Sequence, residues 1–200
     1  MSNYVPKDLE FDQEGRDKLI SGISKISKAV KSTLGPRGKT VLIESSNHTQ
    51  GITITKDGVT VAESISLIDP VENLAITMMK DAARRTANSA GDGTTTAIVL
   101  TEALVKAGEE FLTPDDNITE VVKSIKVITD KVVSSLEHGS RKVTSLMLKD
   151  VATISSNNDS DLGQIISEAY DKVGVNGIVT VESSQNHETY ATVTNGIKVD

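Results

Sequence analysis

The sequence has no cysteine and no tryptophan, and only three tyrosines and two phenylalanines among its 200 residues. Without cysteine there are no disulfides, no thiolate nucleophile and no Cys-ligated zinc, and nothing points to an oxidising compartment. With aromatics at 2%, a core has to be built from Val, Ile, Leu, Ala and Met, which suits helix packing. The same scarcity leaves few ring platforms for single-stranded nucleic acid. Positive charge is also in deficit: 21 Lys and Arg against 28 Asp and Glu leave a formal net charge of −7, which argues against a polyanionic partner. No apolar run approaches the roughly eighteen residues of a membrane span. Residues 1–10 lack a basic segment followed by an apolar one, so neither a membrane anchor nor a secretory leader is expected, and the expected location is the cytoplasm. His48, His138 and His187 lie far apart with no metal-ligand spacing and read as surface or turn residues. No nucleophile elbow and no calcium-loop frame is present.

What the sequence does have is the octet Ala90-Gly91-Asp92-Gly93-Thr94-Thr95-Thr96-Ala97. Leu74, Met78, Ala82 and Arg85 recur at helical spacing before it, and Ala97, Leu100, Leu104, Ala107 and Phe111 restart the period after it, so the octet joins two helices. Its glycines allow a ligand close to the backbone. The N–H groups of residues 94–96 would lack intrahelical acceptors, and a helix end of this kind binds anions. Asp92 suits a phosphate neighbour once Mg²⁺ lies between them, because that ion takes one or two carboxylates together with phosphate oxygens and water. A magnesium-nucleotide complex reconciles the two. From the octet alone, an ordinary helix-loop-helix connection fits as well. It is neither a Walker A loop nor a Rossmann fingerprint.

From the N-terminus, Leu19, Ile23, Ile26, Val30 and Leu34 mark an amphipathic helix over 11–34, with acidic residues at its start and lysines at its end. It stops at Thr33-Leu34-Gly35-Pro36-Arg37-Gly38-Lys39, a helix stop and turn that could also rest a nucleotide against the main chain. Residues 40–43 and 51–55 are β-rich and predict a hairpin, whose edges would pair with another sheet or a neighbouring subunit. The hairpin runs into Lys56-Asp57-Gly58-Val59-Thr60, where Gly58 is expected to free the turn; taken alone this is also a frequent surface turn. A capped helix follows Asn117 and is expected to be core scaffold. Further helices follow around Leu146 and after Asp159, and strands are expected at 178–182 and 190–193. The fold class is therefore mainly α with small β hairpins, an α+β chain.

Thr33-Leu34-Gly35-Pro36-Arg37-Gly38, Ile54-Thr55-Lys56-Asp57-Gly58-Val59, Glu72-Asn73 and the octet resemble the motifs of group I, GroEL-like chaperonins, in that family's order. The similarity continues through Thr153-Ile154-Ser155, Asp171-Lys172-Val173-Gly174 and Gly177-Ile178-Val179-Thr180-Val181-Glu182. Val122-Lys123-Ser124-Ile125 departs from it, lacking the family's Arg-Gly pair. The resemblance implies an equatorial helical bundle over 1–139, the first part of an intermediate domain over 140–190, and the start of an apical domain over 191–200. On that reading the chain is the amino-terminal part of a longer subunit. The resemblance also implies an ATP-driven protein-folding subunit of a homo-oligomeric ring, a double heptamer, with unfolded polypeptide clients and a co-chaperonin lid. The implied cofactors are ATP and Mg²⁺. Thr33, Leu34, Gly35 and Pro36 would contact the nucleotide, Lys56 its phosphates, and Asp92 the magnesium ion. Gly93, Thr94, Thr95 and Thr96 would wrap the phosphate groups, and Asp57 would act in catalysis near the γ-phosphate. Two alternatives stand beside this reading: a truncated chaperonin-like module that binds nucleotide or ring partners without turnover, and an unrelated kinase-like enzyme using Asp92 and Lys56.

Overall fold

Acidic residues Asp12 and Glu14 open helix α1 (Asp12–Lys31), and Lys28 and Lys31 close it, so charge complements the backbone dipole at both ends. The computed structural model describes residues 9–35, 37–44, 51–174 and 176–196. Among the described residues the chain is mainly helical, with one two-stranded antiparallel sheet, as the sequence predicts. It divides into two compact units, Met1–Asp116 and Asn117–Asp200.

In the first unit α1 is followed by β1 (Val41–Glu44), β2 (Ile52–Thr55), α2 (Gly58–Ser64), α3 (Pro70–Ala90) and α4 (Thr94–Phe111). The strands pair in the register Val41↔Thr55 to Glu44↔Ile52, and the turn between them lies outside the described residues. Alternation sets the hairpin's faces: Val41 and Ile43 rest on the core, while Leu42, Ile52 and Ile54 are exposed. Ile26 and Val30 of α1, Val61 of α2, Ile76 and Met79 of α3, and Ile98 of α4 form the centre of the core. Pro70 sits in the first turn of α3, where Asp69 caps the N–H groups of Val71 and Glu72.

Helices α1 and α3 meet backbone to backbone. A Cβ on Gly22 would collide with the Glu72 carbonyl oxygen, so only glycine allows this approach. The Glu72 carboxylate then clamps the pair, accepting from the Ser21 hydroxyl at 2.7 Å and the Lys25 ammonium at 2.5 Å. Those two donors hold its pKa below the usual carboxylate range. Beside it, the Asn73 side chain accepts from the Leu67 N–H at 3.0 Å and ties down the segment that leads into α3.

The apolar period read from the sequence falls on a different face from the buried one. Leu74, Met78, Leu100, Leu104 and Phe111 are all more than half exposed, whereas Ala75, Ile76, Met79 and Ala83 of α3 and Ile98 of α4 are buried. Both helices carry apolar residues on two faces, and a period of 3.6 alone does not choose between them.

The second unit begins with α5 (Ile118–Gly139), capped by Asn117, whose side chain accepts from the N–H groups of Thr119 and Glu120. Its stripe of Ile118, Val122, Ile125, Val132 and Leu136 is present, but no residue of α5 is buried, so the expected core scaffold is corrected to an exposed amphipathic helix. Helices α6 (Ser145–Ser155) and α7 (Ser160–Val173) pack closely where Gly163 lies against Thr153, whose Cα would be 2.8 Å from a Cβ there. The expected strands at 178–182 and 190–193 are not formed; both stretches are irregular. Alternating β-rich residues supply propensity, whereas a strand also needs a partner aligned beside it.

Gly22→Ala is expected to destabilise the first unit by about 1–3 kcal/mol through overpacking against the α3 backbone. Gly139→Ala, where a Cβ meets nothing within 4 Å, serves as the control. Thermal unfolding midpoints check this: equal midpoints for both variants would show that α1 and α3 are not in backbone contact.

Candidate functional site

Helix α4 starts without a side-chain cap. Its N-cap is Gly93, at φ 85°, and the first helical bond runs from the Ala97 N–H to the Gly93 carbonyl at 2.9 Å. The N–H groups of Thr94, Thr95 and Thr96 therefore precede any intrahelical acceptor. Asp57, Asp69, Asn117 and Asp159 cap α2, α3, α5 and α7, while α1 and α6 share with α4 a start without a side-chain cap. Gly91, at φ 73°, ends α3 in the left-handed conformation, so the chain reverses between two helices within three residues, 91–93. Asp92 is exposed at the apex of that reversal and accepts from the Gly93 N–H through Oδ1 at 2.6 Å. Thr94 is buried, Thr95 half-buried and Thr96 exposed.

Asp57 stands at the end of β2 and caps α2. Its Oδ2 accepts from both the N–H of Thr60 at 2.8 Å and the Thr60 hydroxyl at 2.6 Å, while its own N–H donates to the Thr55 hydroxyl at 3.0 Å. Partial burial pushes the carboxyl pKa up. The hydrogen bonds from Thr60, with one from the Val59 N–H, outweigh that and leave it below the usual range, so the group is an oriented carboxylate near neutral pH. Gly58 does not free a turn, as the sequence suggested; it is the first residue of α2 and is not among the positive-φ glycines. Its role is close approach. A Cβ there would strike the Thr95 hydroxyl and come within 3.3 Å of Val30 Cγ1.

Val30 lies in the last turn of α1, just ahead of the third segment. Thr33 donates to the Val30 carbonyl through both N–H (3.0 Å) and hydroxyl (2.8 Å), and Lys39 N–H returns to the Ser32 carbonyl at 2.7 Å. Gly35, at φ 75°, and a bond from Gly38 N–H to the Gly35 carbonyl complete a closed loop over 32–39. Leu34 and Gly35 are exposed on it and Thr33 is half-buried; Pro36 lies outside the described residues. The structure thus joins the root of this loop, the Asp57-Gly58 corner and the first turn of α4 through contacts at Gly58. Lys56 is exposed beside the corner.

Two residues here escaped the sequence reading. Thr60 orients Asp57, and its spacing of three from a helix-capping Asp was the available signal. Glu102 is buried on the same face of α4 as Thr94 and Ile98, and the spacing of four from each to the next was the signal. Chemically, the three joined segments offer unpaired backbone N–H groups, hydroxyls and a lysine to an anion, and hard carboxylate oxygens to a divalent cation.

Residues 26–200 match the model of the TCP-1/cpn60 chaperonin family. Over 199 residues, 98% of the chain, the sequence is 39% identical to chaperonin GroEL 1 of Rhodopirellula baltica and spans 34% of that protein. Two crystal forms of the chaperonin gp146 from bacteriophage EL 2 (Pseudomonas aeruginosa), both obtained in the presence of ATP-BeFx, superpose with TM-scores of 0.69 and 0.70 at 32% identity. Those superpositions cover 80% of this chain and 28% of gp146. The chain spans about a third of the length of these relatives. Sequence and fold agree, and the chain belongs to the TCP-1/cpn60 chaperonin family.

Proposed function

We propose that this chain carries the phosphate side of an ATP site and works within an ATP-driven, ring-forming protein-folding chaperonin. The observation that carries the reading is the junction at Gly58, where the Asp57 corner, the uncapped first turn of α4 and the root of the 32–39 loop are in contact. These are the three places where the family resemblance puts nucleotide contacts, and the similar gp146 was crystallised with ATP-BeFx.

Within this reading Gly93, Thr94, Thr95 and Thr96 wrap the phosphates, the last three through their N–H groups and the exposed Thr96 also through its hydroxyl, with Lys56 adding a positive charge. Thr33, Leu34, Gly35 and Pro36 hold the nucleotide against the main chain. Asp92 holds Mg²⁺, which neutralises phosphate charge; a hard, exposed carboxylate fits that ion. Among the described residues no group of three or more His, Cys, Asp or Glu gathers, so phosphate oxygens and water would supply most of the metal's shell. Asp57, already ionised and aimed by Thr60, orients a water toward the γ-phosphate; its low pKa suits orientation and charge better than proton storage.

The longer assembly supplies the rest. We place clients, a co-chaperonin lid and completed turnover with the chain that the relatives have beyond this span, in a cytoplasmic homo-oligomeric ring. The division into an equatorial part over 1–139, an intermediate part over 140–190 and the beginning of an apical part over 191–200 belongs to the same proposal. The exposed apolar faces of α3 and α4 support it, since a helical bundle with more chain would cover them. No helix among the described residues is long and apolar enough to cross a membrane.

Calorimetric titration with ATP tests the site. Asp92→Ala is expected to abolish the magnesium dependence of binding, and an unchanged dependence would remove Asp92 from the metal. In the complete subunit, Asp57→Ala is expected to lower the hydrolysis rate about a hundredfold while binding persists; full-rate phosphate release would overturn its role. Residues 1–200 alone are expected to bind weakly and release no phosphate above background, and steady turnover would locate the whole active site here. Assembly is read separately. Ile52→Pro or Ile54→Pro removes a strand N–H from the exposed hairpin and should shift rings toward monomers, whereas sedimentation of intact rings from both would refute a role in subunit pairing.

A further inference from the structure

Glu102 is the one ionisable side chain in the buried set among the described residues, with 8% of its side chain exposed. Its two oxygens are divided between two lysines: Oε1 accepts from Lys106 at 2.8 Å on its own helix, and Oε2 accepts from Lys31 at 2.9 Å on α1. Burial pushes its pKa up, but the two ammonium groups outweigh that and hold it below the usual range. A leucine at this position would bury as well without desolvating a charge, and buried ion pairs stabilise little over apolar replacements. What an ion pair adds is position, because an aliphatic contact tolerates sliding that a bonded carboxylate does not.

The positions joined matter. Lys31 is the last residue of α1, and its carbonyl accepts from the Leu34 N–H at 3.2 Å, so the 32–39 loop hangs directly from it. Glu102 lies eight residues below Thr94 (102 − 94), about 12 Å along α4 at 1.5 Å per residue, and shares its buried face. The loop closes on itself and α4 is a rigid rod, so fixing Lys31 to Glu102 fixes the loop against the first turn of α4.

We propose that Lys31 and Glu102 are a positioning pair for the nucleotide, setting the spacing between the two main-chain walls that receive it. This rests on the nucleotide reading above and adds to it two residues that touch no nucleotide. Lys106 is the internal comparator. It pairs with the same carboxylate and is as exposed as Lys31, both at 51%, but it belongs to α4 and joins nothing to the loop.

The test uses the full chain, Mg-ATP affinity by calorimetry, and the melting temperature without nucleotide. Lys31→Met and Glu102→Gln are expected to weaken Mg-ATP binding roughly tenfold, the scale of coupling between groups in one network. Lys106→Met is expected to shift melting to a similar extent as Lys31→Met yet leave affinity within about twofold, and Lys31→Arg to retain affinity. A purely structural role predicts melting shifts from both lysines and no affinity change in the folded variants. Unchanged affinity for Lys31→Met, or an equal loss for Lys106→Met, overturns the pair; if Glu102→Gln fails to fold, the two lysine variants still decide. Asp92→Ala separates the two levels. If it loses magnesium-dependent binding while Lys31→Met binds normally, only the pair is wrong; if it binds Mg-ATP as the unaltered chain does, or if that chain binds none, the site reading falls and the pair with it.

Discussion

Three pieces of chain far apart in sequence meet at a point where there is no room for a methyl group. Gly58 sits against the Thr95 hydroxyl and 3.3 Å, measured from a hypothetical Cβ, from Val30 Cγ1. Because interiors pack at the density of organic crystals, a side chain here would have to turn the Thr95 hydroxyl aside or move α2 against α4 and the end of α1. The loop, the capping aspartate and the bare helix end come together around that contact. A second contact of the same kind, Gly22 against the Glu72 carbonyl, sets α1 on α3, so two missing side chains define how α1 meets its neighbours.

Charge is then laid over this frame in two different ways. At the α1–α3 crossing Glu72 gathers Ser21 and Lys25. At the α1–α4 crossing Glu102 gathers Lys31 and Lys106. Both carboxylates are pulled below their ordinary pKa, Glu72 by Lys25 and Ser21 on α1 and Glu102 by Lys106 on its own helix together with Lys31 on α1, so each favours the packed state above the unfolded carboxylate pKa. As pH falls through their lowered values that contribution is lost at both crossings. Asp57 is held low by different means: the hydroxyl and backbone donors of Thr60 and Val59 outweigh its own partial burial, and among the described residues no lysine or arginine pairs with it.

Much of the local structure at the candidate site could be read from residue types. Gly91, Asp92, Gly93 and the three threonines announce a reversal followed by an uncapped helix, and the structure forms both. The two β-rich runs pair, and Asn117 and Asp159 cap the helices they precede. What stayed hidden depends on partners. Helix α2 is only seven residues long, too short for a period to show, and exists because Asp57 caps it and Val61 and Ala62 reach the core. Leu74 and Leu100 look like core residues because α3 and α4 are apolar on two sides, and only packing says which side is used here. Residues 178–182 have the composition of a strand without the ladder that makes one. Glu102 would ordinarily be read as a surface residue; its burial follows from lying one turn below Ile98 and two below Thr94.

An anion bound at the bare start of α4 would couple occupancy to folding. Capping an exposed helix terminus is worth about 0.5–2 kcal/mol, and α4 lacks the side-chain cap that α2, α3, α5 and α7 each have. An anion seated on the N–H groups of Thr94, Thr95 and Thr96 is a cap that can come and go. By mass action such a ligand stabilises the folded form in proportion to the logarithm of its concentration above the dissociation constant. The amides of that first turn would then report ligand exchange with the solvent, slowing their hydrogen exchange when the site is filled, while the side-chain-capped helices keep their protection throughout. The thermodynamic state of this one turn would track the supply of ligand around it.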